Sequence, residues 1–177
     1  MCEVVEVTLL RQIEQAFGDR PKPSKLVEER VPVTPEQRDA LWFGGRDWRD
    51  VTWSDWESHR DAVYAFMPEA FAYYLPSILA LSYGHPDQWF APADGLLQVL
   101  NRSPVVEYWD AFITTRLVGL RAAEYEVLKE WLLSLSGHKD SDTEDALSRA
   151  FDTVNLLQKE TERVRAFIGN KPNGALP

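Results

Sequence analysis

The stretch from Ala70 to Leu81 is apolar on every side when wound as a helix, and it contains Pro76. A helix without a polar face must be enclosed by other elements, so this segment dictates a core with packing partners all around it. Pro68-Glu69 supplies its start, because proline at the first helical position loses no bond that the helix would have made. Pro76 removes one backbone bond and crowds the carbonyl of residue 72, which predicts a kink. Extended to Tyr83, the run is still shorter than the roughly 20 residues needed to span a bilayer. It is a buried helix of a water-soluble core.

The flanking sequence supplies amphipathic helices to cover it. Leu9, Leu10, Ile13, Ala16 and Phe17 form one apolar stripe, with Gly18 as the stop. Residues 19–33 are rich in proline and charge and read as a loop, with a short extended piece over Val27 to Val33. Thr34-Pro35-Glu36-Gln37 has the form of a capping box opening a helix that ends at Gly44-Gly45. Ser54-Asp55-Trp56-Glu57 reads as a second box, starting a helix with Trp56, Val63 and Met67 along one side. Gly84-His85-Pro86-Asp87 is a loop, Pro92 to Leu100 a short helix, and Ser103-Pro104 a break. Leu117, Leu120, Val127, Leu128, Trp131, Leu132 and Leu135 mark a further helix before Gly137. Ala146, Leu147, Ala150, Phe151, Val154, Leu157, Val164 and Ile168 stripe a last one, with Thr161 where another apolar residue would fit. No convincing period-2 alternation and no internal repeat occur. The expectation is an all-α, single-domain irregular helical bundle over residues 1–177, built around a buried, Pro-kinked central helix, with residues 170–177 as a flexible tail.

Charge separates the core from its cover. The chain of 177 residues has 19 Lys and Arg against 28 Asp and Glu, a formal net charge of −9. The middle third, residues 61–120, holds only 2 basic and 6 acidic side chains and many aromatics. The acidic balance argues against nucleic-acid binding, which needs cations to neutralise phosphates, and against adhesion to an anionic membrane. One cysteine, Cys2, excludes an intrachain disulfide and any site built from several thiolates. The N-terminus carries acid where a signal peptide would carry positive charge, and the expected compartment is the cytoplasm.

Trp48-Arg49-Asp50-Val51, Ala62-Val63 and Met67-Pro68-Glu69-Ala70-Phe71-Ala72-Tyr73-Tyr74-Leu75-Pro76 resemble an uncharacterised bacterial helical domain family. Its marks are a W-x-x-V element and an aromatic-x-Tyr-Tyr-Leu-Pro segment. The resemblance covers about residues 39–135, including an apolar-ended helix here at Tyr125 to Leu135. At that helix's start, Arg121 and Tyr125 stand where the family has a capping Thr and Gln. The resemblance implies a helical fold and a bacterial cytosolic setting, and it implies no activity.

Catalytic motifs are missing from the sequence. There is no G-x-S-x-G elbow, P-loop, G-x-G-x-x-G, H-E-x-x-H or Glu-x-x-His pair, and the chain has three histidines. Asp140, Asp142, Glu144 and Asp145 suit the positive end of a helix dipole and lack the glycine of a calcium loop. No cofactor or metal is expected. Two surfaces stand out. The first is a protein interface at Trp42, Arg46, Trp48, Arg49 and Trp53, where indoles can anchor a partner and arginines stack on them. Acids interleaved with these residues make the local field other than basic. The second is a pocket of Tyr73, Tyr74, Trp89 and Trp109 with polar groups from His85, Glu107 and Asp110. There, Glu107 and Asp110 could share a helix face, so that one carboxyl holds its proton more tightly. For Tyr73 and Tyr74 the plainer account is that their hydroxyls serve backbone groups freed by Pro76; for the tryptophans it is core packing with indole N–H groups on loop carbonyls. The leading expectation is a small acidic domain that binds another protein, of the immunity or inhibitor type. A small-ligand binder or enzyme using the middle third is the alternative, and self-association through the last helix is a third. Oligomeric state stays open.

Overall fold

The computed structural model describes residues 2–29, 32–136 and 141–169, with side chains over 9–29, 32–136 and 143–162. The acidic Asp140, the side chain of Asp142 and the 170–177 tail lie outside the described residues. Nine α-helices occur among them, and no strand. These are α1 (Cys2–Phe17), α2 (Pro35–Trp42), α3 (Trp53–Ser58), α4 (Ala62–Ala65) and α5 (Pro68–Gly84), followed by α6 (Ala91–Leu100), α7 (Ala111–Arg116), α8 (Ala122–Leu135) and α9 (Ser141–Gly169). Two single 3-10 turns lie at Trp48–Asp50 and Val106–Tyr108.

α5 is the axis of the molecule. Every residue from Ala70 to Leu79 is buried, and the helix runs through Pro76 without a break. It touches α1, α6, α7, α8 and the turn at Trp48–Asp50; α9 lies on α6 and α8, and α2 lies on α4. The two polar residues that interrupt its apolar surface, Ser77 and Ser82, act as relays. The Trp56 indole donates to Ser77 Oγ at 2.9 Å, which donates to Tyr74 O at 2.8 Å. The Trp131 indole donates to Ser82 Oγ at 2.8 Å, which donates to Ile78 O at 2.8 Å. Serine hydroxyls bonding back to a helix carbonyl leave an oxygen free to accept, so two large rings are buried here at no cost in unpaired N–H groups.

The ends of the helices follow local chemistry closely. The Thr34–Gln37 box forms as its sequence predicts, and Gln37 spends its amide on Glu28 O at 2.8 Å, tying the preceding loop to α2. α2 gives way to a turn at Gly45, whose φ of 74° belongs to the left-handed region that glycine enters without steric cost. The second box differs from the sequence expectation. Its cap is Thr52 rather than Ser54, and the reciprocal partner is Asp55, whose carboxylate accepts from Thr52 N–H at 2.8 Å. The helix then stops at Ser58. A non-helical His59 (φ −132°, ψ 38°) lays its ring on Trp42 at 4.6 Å, and α4 carries Val63 separately to the core. Met67 therefore caps α5 instead of extending the α3 stripe.

The structure adds detail elsewhere along the chain. Leu10 lies on the exposed side of α1, while Leu9, Ile13, Ala16 and Phe17 are buried. Residues 111–116 form an unforeseen helix, α7, capped by the Asp110 carboxylate accepting from Ile113 N–H at 3.2 Å. Leu117 and Leu120 sit in the turn after it rather than on α8. α8 starts where the Glu124 carboxylate accepts from Arg121 N–H at 2.7 Å, so the third-residue acid organises the start although Arg121 offers no acceptor. Among the described residues, the piece from Val27 to Val33 forms no strand.

Candidate functional site

The structure engages the residues of the first candidate interface in different ways. Trp48 is 6% exposed and packs in the core, and its indole nitrogen has no hydrogen-bond partner. Arg49 lies over that ring at 4.7 Å and bonds to Glu14 at 2.6 Å, Asp47 at 3.1 Å and Gly18 O at 3.0 Å. A guanidinium held this way fastens the 47–50 turn to the end of α1; it has little left for a partner. Trp42 and Arg46 form a surface stack, the guanidinium 3.6 Å above the indole and Arg46 Nε donating to Trp42 O at 3.1 Å. Trp53 stacks on Phe90 at 4.2 Å, and its ring lies tilted against that of His85 at 5.2 Å.

The second candidate set divides between core and surface. Tyr73 and Tyr74 are buried. The Tyr74 hydroxyl lies between Phe43 O at 2.6 Å and Arg46 O at 3.0 Å, so it closes the carboxyl end of α2 and not the backbone around Pro76. Burial, together with the nearby Asp47 carboxylate, pushes the Tyr73 phenol up from its ordinary range. Trp109 is buried with its N–H on Ser103 O at 2.9 Å, the kind of loop carbonyl the sequence suggests. Glu107 lies exposed in a 3-10 turn, whereas Asp110 is a helix cap that pairs with Arg102 at 3.0 Å, so the two share no helix face. His85 and Trp89 are exposed. None of these seven residues lines either of the two cavities described below.

What the structure brings out instead is Trp89, 67% exposed, on the loop between α5 and α6. The loop is held by its own backbone: His85 N–H donates to Ser82 O at 3.3 Å and Gln88 N–H to His85 O at 3.1 Å, while His85 Nδ1 lies 3.2 Å from Leu81 O. Phe90 caps α6 in an extended conformation (φ −126°, ψ 107°) and is buried against Trp53. In extended chain, neighbouring side chains point to opposite sides. Sinking Phe90 therefore turns Trp89 outward. The surrounding chain is acidic or neutral, with no Lys or Arg from Asp61 to Asn101, and Asp87 and Asp94 flank the ring in sequence. Tyr108, 79% exposed, stands on the 3-10 turn after α6, beside Glu107. Burial statistics make a large ring at the surface the informative exception, and no sequence signal separates Trp89 from its buried neighbours.

Two cavities are also present. One, of about 580 Å³, lies between the first turns of α2 and α5, the end of α4, and α7, with Arg116 in its wall. The other, of about 350 Å³, lies between α8 and α9 around Leu133, Leu147 and Phe151. Arg116 is one of only two cations in residues 61–120, the signal by which the sequence could have singled it out.

No protein-family model, no curated protein and no solved structure matches this chain. Among the described residues no helix is long and apolar enough to cross a membrane, and no group of three or more His, Cys, Asp or Glu could hold a metal ion.

Proposed function

We propose that this is a cytoplasmic protein-binding domain that engages a basic partner through the surface around Trp89, as an immunity protein or inhibitor engages its target. The exposed indole carries the reading. A tryptophan that the fold turns outward on a self-bonded loop presents a large apolar surface with little entropy left to lose on binding. Such rings commonly dominate an interface, costing about 2 kcal/mol or more when truncated. The acidic surroundings supply the second element, attraction of a basic partner over a distance and alignment of it on contact. The bacterial helical family that Trp48–Val51 and Tyr73–Pro76 resemble contributes no activity that would alter this reading.

The test is comparative capture. The immobilised protein, its W89A variant and an L41A control at another exposed apolar position are each exposed to lysate of the source cell at low and at high salt. A stoichiometric species retained by the native chain and by L41A, lost from W89A and weakened by salt supports the proposal. Retention by W89A at the native level, or no stoichiometric species at any salt, refutes it.

A further inference from the structure

The larger cavity has the proportions of a small-molecule site, for which about 300–1,000 Å³ is typical. Its walls are mostly apolar, from Tyr64, Ala65, Phe66, Met67 and Pro68. Tyr64 is seated by Gly95 of α6, where an added Cβ would lie 2.7 Å from the phenol oxygen, so the wall depends on that glycine. Most of the polar groups in the wall are already engaged. Thr34 and Gln37 are spent on the capping box and on Glu28 O, and Thr115 donates to Ala111 O at 2.6 Å. Glu36 bonds to Thr34 and to its own N–H, which holds its carboxyl below the usual range.

Arg116 is different. Its Nε donates to Phe66 O at 2.7 Å and its guanidinium lies 4.5 Å from the Phe112 ring centre, which fixes the plane of the group. The two terminal nitrogens carry four N–H donors, and their contacts are long: 3.4 Å to Tyr64 O and 3.5 Å to Thr115 Oγ1. Among the described residues no carboxylate forms an ion pair with it; Glu28 and Asp110 act only at a distance. Burial draws its pKa below that of a free arginine, and the more distant charges of Glu28 and Asp110 only partly offset this.

We propose that this cavity binds a small organic monocarboxylate, its carboxylate on the free edge of the Arg116 guanidinium and its apolar body against Tyr64, Phe66 and Met67. A planar fork with open donors matches two carboxylate oxygens. Arg116 is the single cation among the residues that line this cavity, which favours one negative charge over two, so inorganic phosphate is a poor fit. This site is independent of the Trp89 surface.

The probes are benzoate, hexanoate, benzamide and inorganic phosphate, followed by backbone amide NMR shifts of the whole chain. Benzoate or hexanoate is expected to shift the amides of Ala111–Leu117 and Phe66–Met67, and benzoate to bind about tenfold or more tightly than benzamide, the loss expected for one charge-assisted contact. R116Q should remove that difference. R116K keeps the charge without the fork, so it should bind benzoate several-fold more weakly than the native chain while holding the native spectrum, which covers a failure of R116Q to fold. The proposal falls if neither carboxylate shifts these amides, if benzamide or phosphate binds as well as benzoate, or if R116K binds benzoate like the native chain.

Discussion

Thr161 shows how a residue that looks misplaced in a pattern can be the one that position requires. It interrupts the apolar stripe of α9 and is 4% exposed. Its hydroxyl donates to Val118 O and lies 2.7 Å from the Tyr125 hydroxyl, which donates to Leu117 O at 2.5 Å. Leu117 O also accepts a long bond from Leu120 N–H at 3.4 Å, whereas for Val118 O the donor is the Thr161 hydroxyl. T161V keeps the shape and deletes the donor, so it should cost about 1–3 kcal/mol, the penalty for orphaning a buried polar group. A urea-unfolding midpoint unchanged from the native chain would show that water reaches Val118 O. S77A poses the same question for the Trp56 indole and should cost a similar amount. W89A, by contrast, removes a ring that the fold leaves in water and should move the midpoint by no more than about 0.5 kcal/mol. Stability and binding thus separate at single residues.

Between elements, the most specific link joins the end of α1 to the start of α8. Arg20 makes a bidentate pair with Glu124 at 2.5 and 2.6 Å, and Arg121 pairs with Asp19 beside it. Glu124 is fully buried and also accepts from Arg121 N–H, so one carboxylate both starts α8 and holds α1 against it. Removing the cation alone, as in R20M, strands a buried charge and should cost about 3–5 kcal/mol. R20M with E124M should recover much of that loss, because a matched apolar pair leaves no buried charge; the part not recovered is the acceptor that Arg121 N–H loses. Chemical denaturation of the three proteins decides it; a double variant as unstable as R20M would mean that starting α8, and not the pair, is what Glu124 contributes. The same link explains why the sequence pattern places α8 correctly and its start poorly. The apolar residues Val127 to Leu132 announce the helix, whereas its first turn is fixed by Arg20, about a hundred residues away in the chain. α7 is hidden for a related reason. Six residues, Ala111–Arg116, are too few to show a period, and the cap Asp110 resembles an acid–base candidate until Ile113 N–H is seen bonding to it.

For the molecule as a whole, the all-helical core was legible because it rests on an average property. A twelve-residue apolar stretch has one physical outcome, enclosure, and each flanking stripe offers a face to enclose it. The candidate surface was not legible, because exposure of one ring depends on which neighbour the chain chooses to bury; Phe90 goes in, so Trp89 comes out. Net charge works as an average too, and it gives a prediction about the complete fold. Folding draws several carboxyls below their ordinary values of 3.8 and 4.5. For Asp19 and Glu126 the main cause is the hydrogen bond from Arg121 and from Lys129, respectively. For Asp47 and Asp55 burial acts in the opposite direction and is outweighed, by bonds from Arg49 and from Thr52. A carboxyl that ionises more readily in the folded chain stabilises it above the unfolded pKa, and that contribution disappears as pH falls through the folded pKa. The urea midpoint should therefore be nearly level from neutrality down to about pH 5 and decline from about pH 4 downward. D55N removes one of these carboxylates and weakens the charge-assisted bond that Thr52 N–H donates at the start of α3, so it should lower the neutral-pH midpoint while making the acid decline shallower. A D55N curve parallel to the native one through the whole range would place the acid sensitivity in general charge repulsion among the remaining cations, and not in these bonded carboxylates.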